Sequence, residues 1–441
     1  METVQDTLDT LVAPQQNSHR EVSGFFKIWF PSFLVFFANT LGLFGIKWWF
    51  ALIPGGSSIL GITVGIADIV AIVVVVLFAG SIDRNDKPTI LNSIKGAMML
   101  GLVLLFPIFL ISSVNVEFII AIIASFLIMD CTSELYSASM ETILADLTPK
   151  RWPSSRTAAL IQIVSRAASL VAPLAGGGLI AIGWLWSLPL LGIVSICTAL
   201  GLLFLWRKVI RAQQVAKISN NEKVPEQWLQ RLFSDSLSAI QWIKNQPTLI
   251  FMLIISVLLN LIVFPFYTLF PAFLQELHVL NAVIIYGYGS AIYGGGLLLV
   301  TVIFMFFPYH PKKPISFITI LVCCIVLDLG FITFFPTPLI LIGAMGVLGC
   351  LFMIVIVVVG GIWLDQTPAE VRVRVFSLRR LVGYTSLPLG ASLMGIAGAT
   401  IGFVLILRIL LSIVLVLVAL TLGILSIQKQ RMKHAQQEKR S

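Results

Sequence analysis

Three carboxylates lie inside one long apolar stretch: Asp130, Glu134 and Glu141, with Arg166 at comparable depth in the next. At about 100° per residue, their spacing of four and then seven places all three on one face of a helix. Ionisable side chains at bilayer depth are costly and mark functional cavities by default. Two readings follow. Arg166 can neutralise one carboxylate and hold two helices together. Alternatively, three acids exceed the local cation, so that one titrates near neutrality and alternately carries a proton or a cationic cargo. Asp68, near the centre of another apolar run, and Lys47, in the outer third of the first, are the remaining candidates for such a cavity.

A second charged constellation is the segment AGSIDRNDKPTIL, Ala79–Leu91, read as a loop between two apolar runs. Gly80, Asp83, Arg84 and Lys87 fall within it. A third stretch, Ala172-Pro173-Leu174-Ala175-Gly176-Gly177, combines a proline that removes a backbone donor with glycines that permit close helix approach.

The elements that must carry these groups are membrane helices. The 441-residue chain is 58% hydrophobic and 11% charged, with a mean hydropathy of +1.00. A soluble domain uses apolar residues for only about half its sequence. The apolar runs are continuous and about twenty residues long, without the alternation of barrel strands. Twelve such spans are expected, near 26–53, 58–82, 88–112, 117–146, 155–182, 186–206, 248–275, 282–308, 313–335, 338–364, 371–398 and 400–427. Lys and Arg collect on alternate connections, while those near 54–57, 113–117, 183–186, 276–281, 336–338 and 399 have none. That asymmetry places both termini in the cytosol. The net charge of +9 is thereby a topology signal, with no nucleic acid partner implied.

The domain plan is a disordered cytosolic tail (1–24), a six-helix bundle (25–206), a cytosolic linker with an amphipathic helix (207–247), a second six-helix bundle (248–428) and a basic tail (429–441). The tail before Phe25 lacks the apolar core of a cleavable signal peptide. None of the five cysteines forms a CxxC or Cys/His cluster, so no metal or other cofactor is expected. The run from Tyr286 to Gly296 lacks Walker spacing and reads as a close-packing helix face. Lys95 is expected to snorkel to an interface. Lys47, followed by Trp48 and Trp49, serves either the cavity or the interface. Arg408 carries the same alternatives, and Asp328 is expected near water at an outer helix end. Aromatic residues such as Phe36, Phe37, Phe264, Phe266, Tyr267 and Phe270 suit an apolar cavity or lipid-facing packing.

The pattern G-x-I-D-R-x-D-K at Gly80–Lys87 resembles the loop between helices two and three of major facilitator superfamily transporters. The stretch at Pro173–Gly177 resembles that superfamily's antiporter motif, with alanine for the first glycine. DQTPAEVRVRVFSLRRLVGYTSLPLG resembles the region before helix eleven in the bacterial macrolide-efflux and enterobactin-exporter branch, with Val373 where that branch has glycine. The resemblance implies an all-α fold of two pseudo-symmetric six-helix bundles, with Asp83 and Arg84 latching their cytoplasmic ends. It implies a monomer in a bacterial plasma membrane that exports a small organic molecule (a drug, antibiotic or other secondary metabolite) in exchange for protons. A siderophore exporter is the alternative within the fold. A lipid-modifying membrane enzyme lacks its expected Ser/His or His-rich cluster, and a transport-dead sensor lacks a signalling domain.

Overall fold

The computed structural model describes the backbone of residues 2–84, 87–111, 115–147, 154–214, 240–244, 246–307, 309 and 311–438. Every regular element among them is a helix: α1 (Glu2–Leu52), α2 (Gly56–Arg84), α3 (Lys87–Ile111), α4 (Val116–Leu147), α5 (Ser154–Ala181), α6 (Ser187–Gln214), α7 (Pro247–Asn260), α8 (Val263–Glu276), α9 (Ala282–Phe306), α10 (Pro314–Phe334), α11 (Pro338–Gln366), α12 (Ala369–Ile401) and α13 (Phe403–Glu438). They supply twelve helical segments long and apolar enough to cross a membrane, each at one of the expected spans. The fold is all-α and polytopic.

Two details depart from the reading of the sequence. The segment Ala79–Leu91 is helical up to Arg84 and again from Lys87, with Asn85 and Asp86 outside the described residues. The seventh span is two helices, interrupted at Leu261–Ile262. Pro265 explains the break: it has no N–H to offer the carbonyl of Leu261, four residues back, and its ring crowds that carbonyl. The chain compensates locally, with Leu261 N donating to Val257 O at 3.0 Å and Ile262 N to Leu259 O at 3.2 Å.

The chain divides into two compact units. The first holds Met1–Ile46, Ile69–Val224 and Thr301–Phe307; the second holds Lys47–Asp68, Pro225–Val300 and Pro308–Ser441. In the first, Leu41 of α1, Ala172 of α5 and Leu188 of α6 form a fully buried core. Pro173, Gly176 and Gly177 are buried within α5. A methyl at Gly176 would lie 2.7 Å from the ring of Phe44. This glycine therefore lets α5 close on α1. The Trp29 indole N–H adds a 2.9 Å hydrogen bond to Leu160 O.

In the second unit, the N-terminal part of α2 lies against α12 backbone to backbone. A methyl at Gly61 would sit 2.5 Å from Ala391 O and 2.9 Å from the Cα of Gly395. One at Gly395 would lie 2.8 Å from both Gly61 Cα and Ser57 O. Two hydroxyls stitch this seam: Ser392 Oγ donates to Gly61 O (3.3 Å) and Ser58 Oγ to Gly395 O (3.4 Å). The expected close-packing face of the eighth span is present too. Gly296 of α9 meets Gly346 and Cys350 of α11, while Gly349 of α11 meets Tyr293 of α9. At the end of this unit, the Glu276 carboxylate accepts from the N–H groups of Phe403 (2.5 Å) and Val404 (3.3 Å), where α13 starts after the left-handed Gly402.

Candidate functional site

Asp130 and Glu134 of α4 and Arg166 of α5 all fall in the first unit. Asp130 and Arg166 are half-buried and Glu134 is exposed. One oxygen of Asp130 (Oδ2) and the Nε of Arg166 are each shut from solvent. Asp68 is also half-buried, and it and Lys47 fall in the second unit. The side chains of Glu141, Gly80, Asp83, Arg84 and Lys87 lie outside the described residues, as do those of Arg372, Arg374 and Arg380.

One expectation fails in the first unit. Lys95 does not snorkel: it is fully buried, at 0% exposure. Its Nζ lies 5.7 Å from the ring centroid of Tyr136 on α4, with no hydrogen-bond partner. Tyr136 is itself fully buried and donates to Ser32 Oγ of α1 at 3.2 Å. Ser32 Oγ in turn donates to Ile28 O at 2.7 Å, and Phe36 meets the Tyr136 ring edge-on at 5.5 Å. Position along the sequence suggested a reach to the interface. The packing of α3 on α4 holds the side chain inward instead.

The second unit's constellation is aromatic and basic. Lys47 Nζ stands 5.1 Å from the ring centroid of Tyr267 on α8, which stacks on Tyr293 of α9 at 4.6 Å. Beside them, Trp48 stacks on Tyr286 at 6.0 Å, and Phe270 tilts against Tyr286 at 6.3 Å. Two hydroxyls on these helices, Thr268 and Ser290, are buried without a hydrogen-bond partner. Buried polar groups are normally satisfied, so unspent hydroxyls on the helices that carry these five aromatic rings are what a polar ligand needs. Sequence reading missed Tyr286, Tyr293, Thr268 and Ser290 as a group. A Thr or Ser in an otherwise apolar span was the available signal, but it did not show which hydroxyls the helix's own carbonyls absorb.

Other groups resolve to structure. Arg408 of α13 donates to Thr333 O (2.7 Å) and Thr333 Oγ1 (3.1 Å), and covers the Phe334 ring at 4.4 Å. Asp328, expected near water, is half-buried, and its Oδ2 is shut from solvent without a hydrogen-bond partner. Among the described residues, no group of three or more His, Cys, Asp or Glu side chains is arranged to hold a metal.

Twelve helical segments long and apolar enough to cross a membrane describe a multi-pass membrane protein. The family model of the Major Facilitator Superfamily matches residues 32–391, and the chain belongs to that superfamily. Solved structures of the same fold include a nucleoside transporter, NupG, at 16% identity (91% of this chain, 98% of that one, TM-score 0.63). A bacterial homologue of the iron transporter ferroportin, in an inward-facing state, matches at 15% identity (89% and 98%, TM-score 0.63). A bacterial homolog of the human lysosomal transporter Spinster, inward-facing and unoccupied, matches at 12% identity (86% and 82%, TM-score 0.60). No curated protein sequence matches. At these identities the structures speak to the fold alone.

Proposed function

We propose that this protein is a secondary active exporter that carries a small organic molecule across a bacterial plasma membrane in exchange for protons, with both termini in the cytosol and the monomer as the working unit. One observation carries the reading: two carboxylates one turn apart on α4, Asp130 half-buried and Glu134 exposed, share a compact unit with Arg166. Two acids near one guanidinium do not both ionise cheaply at low dielectric, which makes one of them a proton carrier. Asp83 and Arg84 act as the latch that the sequence resemblance implies, at the inner end of α2.

The coupling is tested in proteoliposomes under an imposed pH gradient. Asp130→Asn or Glu134→Gln abolishes gradient-driven efflux while sparing exchange of cargo at equal pH. If both variants keep full gradient-driven efflux, these acids are structural and Asp68 is the next candidate.

The Lys47 constellation favours one alternative within the same fold. An ammonium over a tyrosine ring, flanked by stacked aromatics and unspent hydroxyls, suits a flat acidic cargo such as an aromatic siderophore. Competition with acidic and with cationic aromatic compounds separates the two.

A further inference from the structure

Lys95 belongs to neither constellation described above, yet it is the most anomalous side chain in the first unit. It has no exposed surface, and its amine meets no hydrogen-bond acceptor. An ammonium left this way is among the least tolerable groups in a low-dielectric interior, costing several kcal/mol. A neutral amine costs far less, because only its charged form demands hydration.

Among the described residues none supplies a compensating anion at the amine; the side chain of Glu141 on α4 lies outside them. α3 packs on α4 and α6. On α4, the group at Nζ is the face of the Tyr136 ring, whose hydroxyl is already committed to Ser32. Asp130, Cys131 and Glu134 stand further along the same helix, and none of them bonds the amine. On α6, Cys197 is engaged with Met99 Sδ at 3.8 Å. From α1 comes the Ser32 hydroxyl, donated to Ile28 O, with Met140 of α4 beside it.

We propose that Lys95 is a proton-binding site: an uncharged amine in this conformation, whose lone pair takes a proton from water when α3 and α4 part. The Tyr136 ring lies within cation–π reach, so the resulting ammonium meets a partial counter-charge as soon as it forms. No other co-reactant is needed, since amine and proton give ammonium and the reverse step returns the proton to water. Its use in transport rests on the proton-exchange reading above; the protonation itself does not, and is measured without any cargo.

The experiment uses the full-length protein, labelled with nitrogen-15 at lysine Nζ, in lipid nanodiscs. Near neutral pH, one lysine resonance is expected in the neutral-amine range. It is absent from Lys95→Met and converts to the ammonium position on acidification. If every lysine is ammonium near neutral pH, or the amine signal persists in Lys95→Met, the proposal is overturned. Thermal unfolding gives a crossed check, because arginine stays charged where lysine need not. Lys95→Met retains membrane abundance and melts no lower than the parent, whereas Lys95→Arg loses abundance several-fold. The opposite order, Arg tolerated and Met not, would make the charge structural and overturn the proposal. Loss of coupling in the α4 acid variants leaves these readings unchanged, so failure of the export mechanism and failure of this site are told apart.

Discussion

Placing a side chain on the glycine seam between α2 and α12 is a sharp way to ask whether that contact is remade during transport. In Gly61→Val, the first carbon would stand 2.5 Å from Ala391 O and 2.9 Å from Gly395 Cα, both backbone atoms that no rotamer change can move. Restoring ordinary contact requires the two helices to part by about 1 Å, and overpacking of this kind costs about 1–3 kcal/mol. The same displacement breaks the Ser392–Gly61 and Ser58–Gly395 hydrogen bonds, each worth about 1 kcal/mol. Taking about 2–3 kcal/mol against the conformer that contains the seam, the conformational equilibrium shifts by roughly 30- to 160-fold. A single cysteine at Ser58, in a chain whose five native cysteines are replaced by alanine, reports the shift through its reaction with a membrane-impermeant maleimide. Labelling rises in Gly61→Val and to a lesser degree in Gly61→Ala. Gly96→Val, where a new side chain meets nothing within 4 Å, leaves it unchanged. If Gly61→Val neither alters labelling nor slows transport, the seam is incidental packing.

Lys47→Met lowers affinity for an acidic aromatic cargo about tenfold, in line with an ammonium–ring site of 1–2 kcal/mol, while a cationic compound is bound as before; competition binding reads both. Glu276→Ala removes the carboxylate from the start of α13 and costs about 1–2 kcal/mol, seen as a lower melting temperature that Glu276→Gln recovers only in part. Cysteines introduced at Gly56 and Asn281 react with an impermeant reagent in intact cells, whereas one at Asn220 does not; reaction at Asn220 alongside Gly56 overturns the topology. Asp83→Asn cuts transport strongly at normal membrane abundance, and unchanged transport reduces that segment to a topology signal.

The twelve spans were legible because hydrophobic length is a local property, readable without knowing what packs where. Gly176 was legible for a related reason: a proline three residues earlier and adjacent glycines describe a helix built for close approach whatever its partner. Lys95 was misread because snorkelling is inferred from distance to a helix end, whereas the packing of α3 on α4 decides which way the side chain points. Gly61 and Gly65 show the spacing of a close-packing helix, but their partners on α12, Gly395 for the first and Pro388 and Ser392 for the second, lie more than three hundred residues away. The break at Leu261 was the avoidable miss, because Pro265 was in plain view.

That break divides the labour of the seventh span. Its first half, α7, is tethered by the Asn260 amide, which donates to Gly383 O of α12 at 3.2 Å. Its second half, α8, carries Tyr267, Thr268 and Phe270. At the joint, Gly390 of α12 fits against Leu261 and Pro265, where a methyl would stand 2.9 Å from Leu261 O and 2.7 Å from Pro265 Cγ. The span therefore works as an elbow rather than a rod. Both halves pack on α12, so a bend at the joint changes the angle between them while Tyr267, Thr268 and Phe270 all stay on the α8 side.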